Sequence, residues 1–170
     1  MQRQPTLLNS SARAATAAEA RYRISYPFAR RNSRVVALDE QAAAIVRRMA
    51  GQQWSGGHFL AFEAAVPANG SGLEVTDARL RRADGTEVLL SEELSGADLV
   101  VMVGGVHASA EAASVIGDAC AARSIMSAGL VVPGTGSADA VVSALRPNAM
   151  VLVILRDAGD IPEILSALRV

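Results

Sequence analysis

A chain of 170 residues, 51% hydrophobic and 19% charged, with a mean hydropathy of +0.26 and a net charge of −1, suits one packed domain and excludes wholesale disorder. All sixteen basic residues are arginines, which removes the Walker-type phosphate loop, the Schiff-base lysine and the kinase-type lysine together; Cys120, the only cysteine, leaves no intrachain disulfide, redox pair or thiolate zinc cluster. The longest apolar stretches, such as Leu99 to Val106, fall far below the roughly 18 residues of a membrane span, so a soluble protein in a reducing, cytoplasmic compartment with no membrane partner is expected.

The charge is unevenly placed. Residues 1–34 carry seven arginines against the single acid Glu19, a balance of +6, whereas residues 35–170 carry nine arginines against sixteen acids, a balance of −7. This split marks residues 1–33 as a basic N-terminal arm and residues 34–170 as an acidic domain. The arm lacks an apolar signal-peptide core. Its Arg-, Ala- and Ser-rich start is similar to an organellar transit peptide, yet Tyr22, Ile24, Tyr26 and Phe28 are residues that pack. They point to an arm joining copies into a homo-oligomer, or to a strap across its own domain. No recognised binding motif accompanies the charge, so nucleic acid is not expected as a partner.

In chain order, the alanine-rich Ser11 to Tyr22 has high helix propensity and Pro27 to Ser33 reads as irregular. Arg34 to Leu38 predicts a short buried strand. Asp39 then caps a helix whose apolar face is Ala42, Ile45, Val46 and Met49, and which Gly51 ends. His58 to Val66 reads as a second strand and Pro67 to Gly72 as a loop. Leu73 to Arg81 and Thr86 to Leu90 form a hairpin around Ala83-Asp84-Gly85, whose imperfect alternation predicts a bulge. Ser91 to Leu94 makes one helical turn that Gly96 stops. Leu99 to Val103 is a continuous apolar strand running into Gly104-Gly105, followed by a helix capped by Ser109 with Ala112, Val115, Ile116, Ala119 and Cys120 inward. Ile125 to Val132 is the next strand, and Pro133-Gly134-Thr135-Gly136 turns into a helix capped by Ser137 and ended by Pro147. Ala149 to Leu155 reads as another buried strand. Asp160-Ile161-Pro162-Glu163 is a capping-box pattern opening a last helix with Ile161, Ile164, Leu165 and Leu168 on one face.

Apolar strands alternating with helices predict an α/β fold: a three-layer Rossmann-like sandwich, its mostly parallel sheet ordered 3-2-1-4-5-6, with the hairpin at or near the strand-2 edge. The ligand crevice of such a sheet lies beyond the carboxyl ends of the strands where the order reverses, between the first and fourth strands. Its candidate binding residues are Asp39, Gly104, Gly105, His107 and Ser109, with Gly134, Thr135, Gly136 and Ser137 adjacent. Free backbone amides and helix dipoles there attract an anionic small molecule, a nucleotide being the candidate cofactor. His107 is the single candidate acid or base. The same residues have ordinary uses: glycines ease turns, and Ser109, Ser137 and Asp39 cap helices, so no metal ligand is assigned. Asp39-Glu40-Gln41 follows the first strand without a glycine, so the G-x-G-x-x-G fingerprint is absent and two carboxylates would repel a pyrophosphate. His58 belongs at the opposite end of the sheet from His107, Cys120 faces the core, and no G-x-S-x-G or H-E-x-x-H motif is present. Trp54 reads as a packing residue.

The run Gly96-Ala97-Asp98-Leu99-Val100-Val101-Met102-Val103-Gly104-Gly105, with a helix and then Arg123 to Val132, resembles the middle of the nucleotide-binding domain of the bacterial tubulin-like cell-division GTPases. Val35-Val36, a helix and His58 to Phe62 have a similar layout. The resemblance implies a Rossmann-like sheet. It carries over only Gly104-Gly105 from that family's glycine-rich signature, and the first turn departs completely, so GTP hydrolysis is not carried over; sugar-phosphate isomerase-type sheets are similar to the same extent. Two functions from different classes follow. One is a small protein binding a nucleotide or other anionic molecule at the carboxyl end of the sheet, its reaction unassigned. The other is a non-catalytic scaffold or oligomerisation protein with a degenerate Rossmann-like fold.

Overall fold

A computed structural model describes residues 31–67 and 76–170 of the chain. The helix expected over Ser11 to Tyr22, the arm as far as residue 30, most of the Pro67 to Gly72 loop and the first residues of the hairpin lie outside the described residues. The remainder of the expected arm, Arg31 to Ser33, is tied into the domain: the Arg31 amide donates to Arg169 O at 3.1 Å, and Asn32 exchanges bonds with Asp98 and Gly96.

The two fully buried strands form the centre of the sheet. β1 (Ser33–Ala37) and β5 (Leu99–Gly104) are buried along their whole length, as strands covered on both faces must be, and pair in parallel. α1 (Glu40–Ala50) starts where Asp39, in extended backbone, accepts the Ala42 amide at 2.8 Å; Glu40 in its first turn and Arg47 and Arg48 in its last complement the helix dipole. β2 (Gly57–Pro67) lies parallel to β1, and β3 (Thr76–Arg82) and β4 (Glu87–Leu89) add antiparallel strands beyond it. A single turn, α2 (Leu90–Glu93), ends near Gly96, whose φ of +72° suits glycine. α3 (Ala110–Ala122), capped by Ser109, leads to β6 (Met126–Val131), α4 (Asp139–Leu145), β7 (Val151–Ile154) and α5 (Ile161–Ala167).

The strand order is β4-β3-β2-β1-β5-β6-β7, all parallel from β2 to β7. This is the expected three-layer arrangement, with antiparallel β3 standing where a third parallel strand would be. One core packs α1 and α5 on Val35, Leu99, Val101, Val103 and Leu130; the other packs α2, α3 and α4 on Val36, Leu60, Leu80, Val100 and Met102. Trp54 packs as expected, its ring 5.7 Å from Phe59 and its Nε1 donating to Met49 O.

Four local expectations change. The irregularity falls in β2 against β3, between Phe62 and Ala64, so Glu63 is the extra residue; β3 and β4 pair in regular register. Ala138, not Ser137, occupies the N-cap position of α4, although the Ser137 hydroxyl still accepts the Asp139 amide at 3.1 Å. The capping box closes one turn earlier than read, between Asp157 and Asp160 around a 3₁₀ turn (Ala158–Asp160), because Asp160 is already in helical backbone and its carboxylate accepts the Asp157 amide at 3.3 Å. β7, read as a buried strand, is the sheet edge, with Val151 46% and Ile154 60% exposed.

Candidate functional site

β1 and β5 feed helices that pack on opposite faces, so the loops after them diverge and open the expected crevice. Asp39 from the first loop spans it. Its Oδ1 accepts the Ala42 and Gly105 amides at 2.8 and 3.3 Å, and its Oδ2 accepts the His107 amide at 3.0 Å. Gln41 makes a second bridge, its Oε1 accepting the Val106 amide at 3.2 Å and its Nε2 donating to Pro133 O at 3.0 Å. Thus three successive amides of the glycine loop, the groups that would hold an anion, bond to side chains of the chain itself.

The glycines are shaped by the same contacts. A Cβ at Gly105 would lie 2.6 Å from Gln41 Oε1 and 2.7 Å from Asp39 Oδ2, and one at Gly134 would lie 2.2 Å from Val106 Cγ1. Gly104, buried at the end of β5, would meet Val141 and Ala108 at 2.9 and 3.0 Å. Ser109 accepts the Ala112 amide at 3.2 Å as the cap of α3. Gly134, Thr135, Gly136 and Ser137 form an exposed turn; Gly136 has open space around it, and the Ser137 hydroxyl donates to Asp139 Oδ2 at 2.6 Å. His107 is exposed, and among the described residues its imidazole has no hydrogen-bond partner. The crevice therefore brings Asp39, Gly105, His107 and Gly134 together as expected, and adds Gln41. A glutamine in the first turn of a helix carries no sequence signal for that role.

A second polar cluster lies at the amino ends of the strands, away from the crevice. Glu93, only 4% exposed at the end of α2, receives Arg34 Nε at 3.0 Å, His58 Nδ1 at 2.8 Å and Arg82 Nε at 2.9 Å. Arg34 also donates to Glu93 O, Asn32 Oδ1 and Ser33 O. Burial disfavours the Glu93 anion, but the hydrogen bonds and charges of His58 and Arg82 outweigh it and hold the carboxyl below its ordinary value. Burial lowers the Arg34 pKa, the Glu93 charge opposing it. Every buried side-chain nitrogen and oxygen among the described residues is hydrogen-bonded, so this cluster is a closed structural brace. His58 and His107 sit at opposite ends of the sheet, as expected.

The remaining chemistry is sparse. Burial pushes the Cys120 thiol up to about 11, far from a reactive thiolate, and no group of three or more metal-binding side chains gathers among the described residues. A cavity of about 1110 Å³ lies between β3 and α3, away from the crevice. Its Asp77 carboxylate already accepts the Ser91 amide and hydroxyl. No helix of the described residues is long and apolar enough to cross a membrane. Comparison with models of protein families, with curated proteins and with solved structures finds no match for this chain.

Proposed function

We propose that the chain is a non-catalytic α/β scaffold that works by self-association, not by binding a nucleotide or other anionic small molecule at the switch point. The observation that carries this reading is the Asp39 carboxylate on the amides of Gly105 and His107. An anion seeking those amides would meet a fixed like charge, and displacing it would also unmake the α1 cap. Among the described residues no reacting pair is assembled beside them, and His107 is exposed. Self-association is favoured by the opposite charges of arm and domain and by the apolar sheet edge at Met150, Val151 and Ile154.

Thermal unfolding of the full chain against nucleotides, dinucleotides, sugar phosphates and carboxylates tests the reading. A ligand at 100 times its dissociation constant adds about 2.7 kcal/mol, a shift easily seen. No saturable rise in Tm is expected from any compound, together with sedimentation of the chain above its 17.6 kDa monomer mass. A saturable rise with one ligand class would restore the small-molecule reading.

A further inference from the structure

The two edges of the sheet are built differently. β4 is three residues long and screened by charge, with Glu87 paired to Arg79 and Arg81. That is how edges are ordinarily protected from pairing with another chain. β7 reads Val-Leu-Val-Ile with no charge, no proline and no bulge, and among the described residues no strand pairs on its outer side. Met150 before it is 75% exposed and Ile154 at its end 60% exposed.

The backbone sets which groups face outward. Val132 donates to Gly104 O in β5, so the alternation turns the amides and carbonyls of Gly129 and Val131 towards β7. Leu155 accordingly donates to Val131 O at 2.9 Å. In that phase Val151 and Val153 bond to β6, leaving the amides and carbonyls of Leu152 and Ile154 turned to the open edge. Antiparallel pairing with an identical strand must set outward-facing residues against each other. With Leu152 on the two-fold axis the two Leu152 residues face each other with outward backbone groups, and the exposed side chain of Met150, whose own amide is held by Ser127 O at 2.9 Å, stands opposite Ile154 of the second copy, with Val151 opposite Val153. Moving the axis to Val153 would place Met150 against Arg156. The backbone phase at Leu152 therefore allows this register, and the exposed side chains of Met150 and Ile154 select it. The ends agree in charge: Arg146 stands at the amino end of β7, and Arg156, Asp157 and Asp160 give the carboxyl end a net −1. Antiparallel pairing brings these ends together.

We infer that β7 is a homodimer interface, at which two copies pair antiparallel about Leu152 to continue one sheet across both. This rests on the self-association reading and names its surface. An isologous contact of this kind closes after two copies, which distinguishes it from open-ended strand addition.

The test is sedimentation equilibrium of the full chain over a concentration series, for the wild type, Met150→Glu, Ile154→Lys and the double variant. Both side chains are exposed in the single copy, so folding, checked by circular dichroism, is expected to be unchanged. Each single substitution sets a charge against an apolar residue twice per dimer and is expected to weaken dimerisation on the order of tenfold. The double variant is expected to recover it. Its two new charges lie about 13 Å apart within one strand, too far to pair there, and meet only across the two-fold axis. Dimers that persist unchanged in both single variants would place the contact elsewhere, the basic arm included, and overturn the interface while leaving self-association standing. A wild type that is monomeric at every concentration would overturn both.

Discussion

Glu93 shows what one buried charge does in this fold. Three strands, β1, β2 and β3, lean on it through Arg34, His58 and Arg82, and residues 34, 58, 82 and 93 are too scattered along the sequence for spacing to reveal the cluster. From the sequence Glu93 is an unremarked acid in a single helical turn. Removing it strands a buried guanidinium, so Glu93→Gln is expected to cost about 3–5 kcal/mol in chemical denaturation. A carboxyl held below its ordinary value binds its proton less readily folded than unfolded. Its stabilisation is therefore full above the unfolded value, about 4.3, and is lost as pH falls through the lower folded value. Wild-type stability is expected to decline across that acid window, and Glu93→Gln to show a flatter profile there; equal slopes would remove Glu93 from the acid response. Asp39 was legible as a helix cap because capping is local. Its hold on Gly105 and His107 was not, because those partners lie 66 and 68 residues away.

At the scale of elements, the sequence was most readable where burial is complete. β1 and β5 are buried throughout and α3 carries a capped apolar face, and they stand where periodicity puts them. β7 was misread for a physical reason: an apolar run signals a buried strand only when something covers it, and the cover of an edge strand is outside its own sequence. α3 offers a sharp test of packing against propensity. An interior helical glycine ordinarily gains roughly 0.5–1 kcal/mol on becoming alanine. At Gly117, however, a Cβ would lie 2.6 Å from Asn148 Cβ, in the 3₁₀ turn (Arg146–Asn148) that packs on α3. Overpacking of this sort costs about 1–3 kcal/mol, the larger effect, so Gly117→Ala is expected to lower Tm. A rise would mean that the turn yields easily.

For the whole molecule, the topology puts the crevice where such sheets ordinarily take ligands and then closes it from within, while leaving one sheet edge open. A dimer joined at that edge links folding to association, so the Tm of the wild type is expected to rise with protein concentration and that of Ile154→Lys to follow the same rise only at roughly tenfold higher concentration. Coincident curves would separate the edge from stability. The most direct measurement compares wild type and Asp39→Ser in increasing inorganic phosphate, followed by thermal unfolding. Serine still caps α1, but it carries no charge and is too short to span the crevice to Gly105 and His107. The wild type is expected to show no saturable shift and Asp39→Ser to gain one, as the freed amides take up the anion. Saturable stabilisation of the wild type itself by phosphate would show that the crevice admits an anion despite Asp39, and would contradict the scaffold reading.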